Sequence, residues 1–215
     1  MQLVRRSVGI RRIPVALLFI WAMFGAAAAH AGDAKVVLVI GKGEFQEPAG
    51  GPWKSIQEGQ TLPVGATVRT GDSAQLALLL SDQTQLRVSK GSSLKIRASG
   101  DASQETVLDL LEGRIWAQVK RSFRAATAFI TPRRSVTVNT PTATIGIRGT
   151  DWDAEVGEKK ETTVTVLSGV VEMVNDFGAV ALGPNEQAIA EVGKAPSKRL
   201  ISNARDRVQW VTSYR

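Results

Sequence analysis

The chain has 215 residues, 43% of them hydrophobic and 22% charged, with 27 Lys and Arg against 20 Asp and Glu, one histidine and no cysteine. That much apolar side chain supports one domain with a real core and excludes a disordered chain. The missing cysteine excludes disulfides, thiol chemistry and zinc sites built from Cys.

The N-terminus stands apart. "MQLVRRSVGIRR" carries Arg5, Arg6, Arg11 and Arg12 and no acid, residues 13–29 are an apolar run, and "AHA" closes at Ala31. A basic region, an apolar region and a small-x-small site describe a secretory signal peptide over residues 1–31, which predicts a periplasmic or secreted protein cleaved after Ala31. An apolar run of about 17 residues sits at the short limit for spanning a bilayer, so the alternative is an inner-membrane signal anchor. The Arg5-Arg6 pair leaves the export route open. Cleavage removes His30, the single histidine, and with it Ser-His-Asp and Cys-His catalysis. It also removes four of the 27 basic residues and no acid, which lowers the net charge from +7 to +3 and argues against a nucleic-acid partner.

From Lys35 the sequence breaks into short β-type runs separated by Gly, Pro, Asn, Asp and Ser. "KVVLVI", "ATVRT", "AQLALLL", "QLRVS", "SLKIRA", "ETVLDLLEG", "RIWAQVK", "AFITP", "SVTVNTP", "TTVTVLSG", "VVEMVND", "AVALGPN" and "EQAIAEVG" follow one another. Strands of about five residues with regular turn signals predict an all-β domain over 32–197, either a sandwich or a β-solenoid-like stack. In "RIWAQVK" the residues Ile115, Ala117 and Val119 alternate against Arg114, Trp116, Gln118 and Lys120. In "WDAEV" the residues Trp152, Ala154 and Val156 alternate against Asp153 and Glu155. One face of each strand is expected in the core and the other in water. "LLEGRIWAQV" and "VLSGVVEMV" echo each other around a central glycine, too few copies for a repeat array. Residues 198–215 predict a short C-terminal helix, with Asn203 as N-cap, Asp206 in the first turn, and Ala204, Val208 and Val211 at helical spacing.

The segment "TPTATIGIRGTDWDAEV" at 140–156 places two glycines and an arginine inside a β-branched run, where glycine weakens a strand and marks a bend or a close backbone approach. This segment resembles the signature of the FecR-like periplasmic domain, in which Thr-Pro and Ala lead to Gly-x-Arg-Gly-Thr-Asp and an aromatic-initiated strand. "VRTGDSAQLALLLSDQTQLRVSKGSSLKI", "LLEGRIW" and "TTVTVLSGVVEMV" are similar to that domain's opening, middle and closing elements, so the resemblance covers about residues 61–174 in order. It implies a β module for interaction or sensing at the cell envelope. In the founding members the domain follows a transmembrane helix and a cytoplasmic anti-sigma region, and relays the state of an outer-membrane siderophore receptor. Only about a dozen residues precede the apolar run here, too few to fold. No anti-sigma activity and no direct cytoplasmic sigma factor contact are therefore expected.

The motif residues also have a physical reading. Pro141 fixes the entry into the strand. Gly146 lets a neighbouring strand or loop approach, and Gly149 turns the chain with a positive φ. Thr150 and Asp151 bond nearby amides, and Arg148 secures the crossing with its donor fork. The expected role of this group is architectural. Candidate partner contacts are Lys120, Arg121, Arg133 and Arg134, with Arg124 nearby, in an acid-free stretch that suits an anionic envelope component. Trp116 and Trp53 are candidates for stacking on a glycan or a partner surface. Asp72, Asp82, Asp151 and Asp153 could pair as glycosidase-type carboxylates. They lie in turns or on alternating polar faces, and no catalytic, cofactor or metal motif is present, so the expectation is a non-enzymatic binding protein. An envelope protein in a signalling system is the first reading of the partner, and a cell-wall or carbohydrate scaffold the alternative.

Overall fold

The computed structural model describes residues 33–100, 105–118 and 135–212. Its first strands are β1 (Ala34–Ile40), β2 (Gly43–Gln46), β3 (Lys54–Ser55), β4 (Thr61–Leu62), β5 (Thr67–Thr70), β6 (Gln75–Leu79), β7 (Gln85–Val88) and β8 (Ser93–Ala98). Then come β9 (Thr106–Gln118), β10 (Ser135–Asn139), β11 (Thr144–Val156), β12 (Thr162–Asn175), β13 (Gly178–Leu182), β14 (Glu186–Ala190) and β15 (Ser197–Leu200). A 3-10 turn (Ala204–Val208) runs into the short helix α1 (Gln209–Thr212). The protein is all-β, as the turn spacing predicts. The predicted signal peptide and the "AFITP" run lie outside the described residues. No helix among the described residues is long and apolar enough to cross a membrane.

Strand length departs from expectation in an informative way. The runs read as separate pairs, "ETVLDLLEG" with "RIWAQVK" and "TTVTVLSG" with "VVEMVND", are the continuous strands β9 and β12, of 13 and 14 residues. The motif segment likewise forms one 13-residue strand, β11. Each of the three changes neighbours partway along. The first part of β9 lies between β8 and β10, and its last part between β7 and β11. In β11, residues 144–148 pair with β10 and residues 151–156 with β9. In β12, residues 162–165 pair with β14 and residues 171–175 with β13.

One half of the network therefore runs β3-β2-β5-β8-β9-β10-β11-β12-β13 and the other β4-β1-β6-β7-β9-β11-β12-β14-β15. The only parallel ladder among the described residues is β9 with β10. The ladders thus join all fifteen described strands into one open, mixed and mainly antiparallel sheet, whose long strands pass from one half of the network to the other at bends. Leu76, Leu94, Leu108, Ile145, Trp152 and Val164 come from both halves, expose no surface and belong to one apolar cluster. Burying side chains of this size contributes about 1.5–3 kcal/mol each, which makes this shared cluster the main source of stability in a chain without disulfides.

The bends explain the glycine echo. Gly113 in β9 has φ +81° and Gly169 in β12 has φ +88°, the left-handed region that favours glycine. A Cβ on Gly113 would stand 2.5 Å from Ser92 Cα and 2.7 Å from the Gly91 carbonyl oxygen. On Gly169 it would stand 2.3 Å from Thr150 Cγ2 and 3.0 Å from the Gly149 carbonyl oxygen. Both are true close approaches of backbone to backbone. Gly146 is not one: a Cβ there would meet only the Glu172 carbonyl oxygen, at 4.0 Å. The crossing expected at Gly146 lies instead between Gly169 and the Gly149-Thr150 pair, where the β11–β12 register shifts.

The C-terminal boundary also moves. Residues 197–200, expected at the junction with a helical tail, form β15 on β14, and the helical part begins at Ala204. Asn203 caps it as its position predicts, its side-chain oxygen accepting from the Arg205 amide at 3.1 Å. Urea denaturation should separate the glycines. Gly113→Ala and Gly169→Ala each lose about 2 kcal/mol or more, from strained φ and from the clash, whereas Gly146→Ala changes stability by less than about 0.5 kcal/mol.

Candidate functional site

The part of β11 after its bend carries the alternation Trp152, Ala154 and Val156 into the core, all buried as predicted. Its other face is only partly in water, the Glu155 side chain remaining 40% exposed. Asp153 exposes no surface, because the C-terminal segment folds back over it. Arg114 of β9 donates from Nε to Asp153 Oδ1 at 2.7 Å and from Nη2 to Oδ2 at 3.0 Å, a bidentate pair. The same Nη2 donates to the Arg207 carbonyl oxygen. Arg207 in turn places Nη2 2.7 Å from Glu155 Oε2, and the Arg114 guanidinium lies 5.8 Å from the Trp210 ring centre. These contacts fasten the terminal turn to β9 and β11. Burial pushes the Asp153 carboxyl above its ordinary range, and the Arg114 and Arg207 charges oppose that shift.

The residues that bear on function fall into three groups, two of them expected from sequence. Trp116 is half-buried, and its Nε1 donates to Asp151 Oδ1 at 2.6 Å. Asp151 thus accepts from an indole and from the Gln118 side chain rather than from the expected backbone amides, and burial raises its carboxyl above the usual range despite those bonds. The Thr150 hydroxyl is buried with no partner among the described residues, so it does not bond an amide either. Gly149 takes the predicted positive φ, at +60°. Trp53 is covered by the Arg69 guanidinium at 4.0 Å. Both tryptophans are therefore engaged within the fold. Asp82 is buried in its turn, accepting from the Thr84 amide and the Thr106 hydroxyl, while Asp72 sits exposed in another. Lys120, Arg121, Arg124, Arg133 and Arg134 lie outside the described residues.

Arg148 and Gly146 form the second group. Both lie on the outward side of β11, alternating with the buried Ile145 and Ile147. Arg148 is exposed and makes no hydrogen bond or ion pair with any described residue, so it does not secure the crossing. Because Gly146 has no side chain, the surface dips between Thr144 and Arg148. Pro141 occupies the exposed tip of the β10–β11 hairpin, closed by the Thr140 amide on the Ala143 carbonyl oxygen at 2.9 Å, rather than the strand entry.

The third group was not singled out from sequence. Val170 and Val174 of β12 are 58% and 39% exposed, Phe177 in the β12–β13 turn 59%, and Val192 68%. Val170 is the ladder partner of Arg148 and Val174 that of Thr144. Val174, Phe177 and Val192 line a cleft of about 270 Å³ together with Pro141. The signal was present in "VVEMVND", where valines occupy both faces of an alternating strand. One of those faces had to be uncovered or covered by something else.

Two substitutions test the fastening of the terminal segment. Asp153→Ala leaves the Arg114 guanidinium without its partner and costs about 3–5 kcal/mol in urea denaturation. Asp151→Asn has the opposite sign at neutral pH. The folded carboxyl holds its proton to a higher pH than the unfolded one, so wild-type stability falls as pH rises through the ordinary carboxylate range and the penalty persists above it. Asp151→Asn therefore melts at or above the wild-type temperature at about pH 7, and the difference shrinks toward about pH 3.

The FecR protein family matches residues 66–172, which contain the three long strands and the motif segment. No curated protein matches the chain. Two crystal structures of a candidate anti-sigma factor from Parabacteroides distasonis are similar in fold, each with a TM-score of 0.56 and 19% identity over 68% of this chain. The alignment spans 65% and 64% of those chains, just under two thirds of their length. The bends at Gly113, Gly149 and Gly169 fall within the matched residues, and by that domain the chain belongs to the FecR protein family.

Proposed function

We propose that this protein is a non-catalytic sensing module that acts by protein–protein contact in envelope signalling, exported by its N-terminal segment and residing in the periplasm or outside the cell. The observation that carries the reading is the outward face of β11 and β12, where Arg148 is exposed beside Val170, with Glu172 and Val174 following on the same face. An exposed guanidinium next to exposed valines, with one carboxylate between them, suits a protein-interaction face better than an evenly polar, solvated strand. The turn at Phe177 and the cleft beside Pro141 extend this face. The similarity in fold to a candidate anti-sigma factor supports a regulatory setting. The carbohydrate reading loses its main support, since Trp116 and Trp53 are both held by neighbouring side chains.

The test combines cell fractionation with a photo-crosslinking residue placed at Thr144. The expected result is an envelope-located protein whose crosslink to one partner is lost in Arg148→Ala, while that variant keeps wild-type stability within about 0.5 kcal/mol. An unchanged crosslink in Arg148→Ala would contradict the reading.

A further inference from the structure

Between the end of the matched family residues and the C-terminal strands, β12, β14 and β15 together with the terminal turn line a second cleft of about 360 Å³. Its floor contains Gln187, 3% exposed, whose amide is fixed at both ends. Nε2 donates to Thr165 Oγ1 at 3.1 Å, and Oε1 accepts two bonds from Arg199, from Nη2 at 2.7 Å and from Nε at 3.1 Å. A buried neutral amide thus orients an exposed guanidinium without neutralising it. Arg199 forms no ion pair with any described residue, unlike Arg114 and Arg207.

On the facing wall Arg207 spends Nη2 on Glu155, while its Nε is buried and has no partner among the described residues. The cleft therefore presents one unneutralised guanidinium, that of Arg199, beside the partly engaged guanidinium of Arg207. The hydroxyls of Thr163 and Ser202 line it as well. Asp206 is the only acid in the lining, and its Oδ1 accepts from Asn203 at 2.9 Å and Gln209 at 3.3 Å.

We infer that this cleft is a binding site for a carboxylate, contributed by an acidic side chain or a free C-terminus of a peptide. With Nε and one Nη2 proton held by Gln187, the remaining Nη1–Nη2 edge of Arg199 matches two carboxylate oxygens, and fixing it in advance reduces the entropy lost on binding. One unneutralised charge with an acid nearby suits a monoanion and disfavours a doubly charged phosphate. The volume fits the end of a short peptide. The site stands independently of the proposed partner face, since it uses none of the residues around Arg148.

The experiment titrates the intact protein with N-acetyl-Ala-Ala, its C-terminal amide, N-acetyl-Ala-Glu-Ala-amide and inorganic phosphate. Binding is followed by the Nε–H signals of Arg199 and Arg207 in nitrogen-15 NMR. One or both carboxylate peptides are expected to bind at least about tenfold more tightly than the uncharged amide and than phosphate. The tighter of the two identifies the source of the carboxylate. Arg199→Gln should weaken that peptide by about tenfold or more while Trp210 fluorescence shows the terminal segment still docked. Equal binding of acid and amide, or stronger binding of phosphate, would overturn the proposal. So would undiminished affinity in a docked Arg199→Gln. Should that variant undock, the acid-against-amide contrast on the wild type decides alone.

Discussion

The fold depends on three strands turning from one half of the sheet into the other at points where the backbones nearly touch. At Gly169 a side chain would overlap Thr150, and at Gly113 it would overlap the backbone of Ser92. Chirality makes the left-handed conformation of these glycines costly for other residues, so geometry and clearance select the same amino acid twice. Once the bends are in place, β9, β11 and β12 each contribute one part to each half of the sheet, and a single apolar cluster draws on both halves. Without cysteine, no disulfide ties the halves together.

The bends also decide which polar residues are consumed inside the fold. After its bend, β11 presents Asp151 and Asp153 to β9, where Trp116 and Arg114 meet them. Arg114 then holds the terminal turn through the Arg207 carbonyl oxygen, which converts an apparently solvated strand face into a partly interior one. Before the bend the same strand presents Gly146 and Arg148 outward, with no such cover among the described residues. One continuous motif is thus divided by Gly149 into a part that builds the fold and a part left available to a partner.

Much of this was legible in the sequence. The turn signals give an all-β chain, the alternations in "RIWAQ" and "WDAEV" give the correct core faces, and the motif gives the family. Strand length was not legible, because a glycine that ends a strand and a glycine that bends one look alike until the approaching backbone is known. The burial of Asp153 was hidden for a related reason. Its cover comes from Arg207, more than fifty residues later, and alternation reports only which residues share a face. The same limit applies to Gly146, whose smallness suggested a close neighbour where there is open surface.

The central claim is that the motif arginine is held outside the fold while its counterpart Arg114 is spent within it. Hydrogen exchange of arginine Nε–H groups in the free protein tests this directly. The account predicts that the Nε–H of Arg148 exchanges with water as fast as in an unstructured peptide, and that the Nε–H of Arg114 is strongly protected. Protection of Arg148 comparable to that of Arg114 would contradict it, and would return the motif arginine to an architectural role.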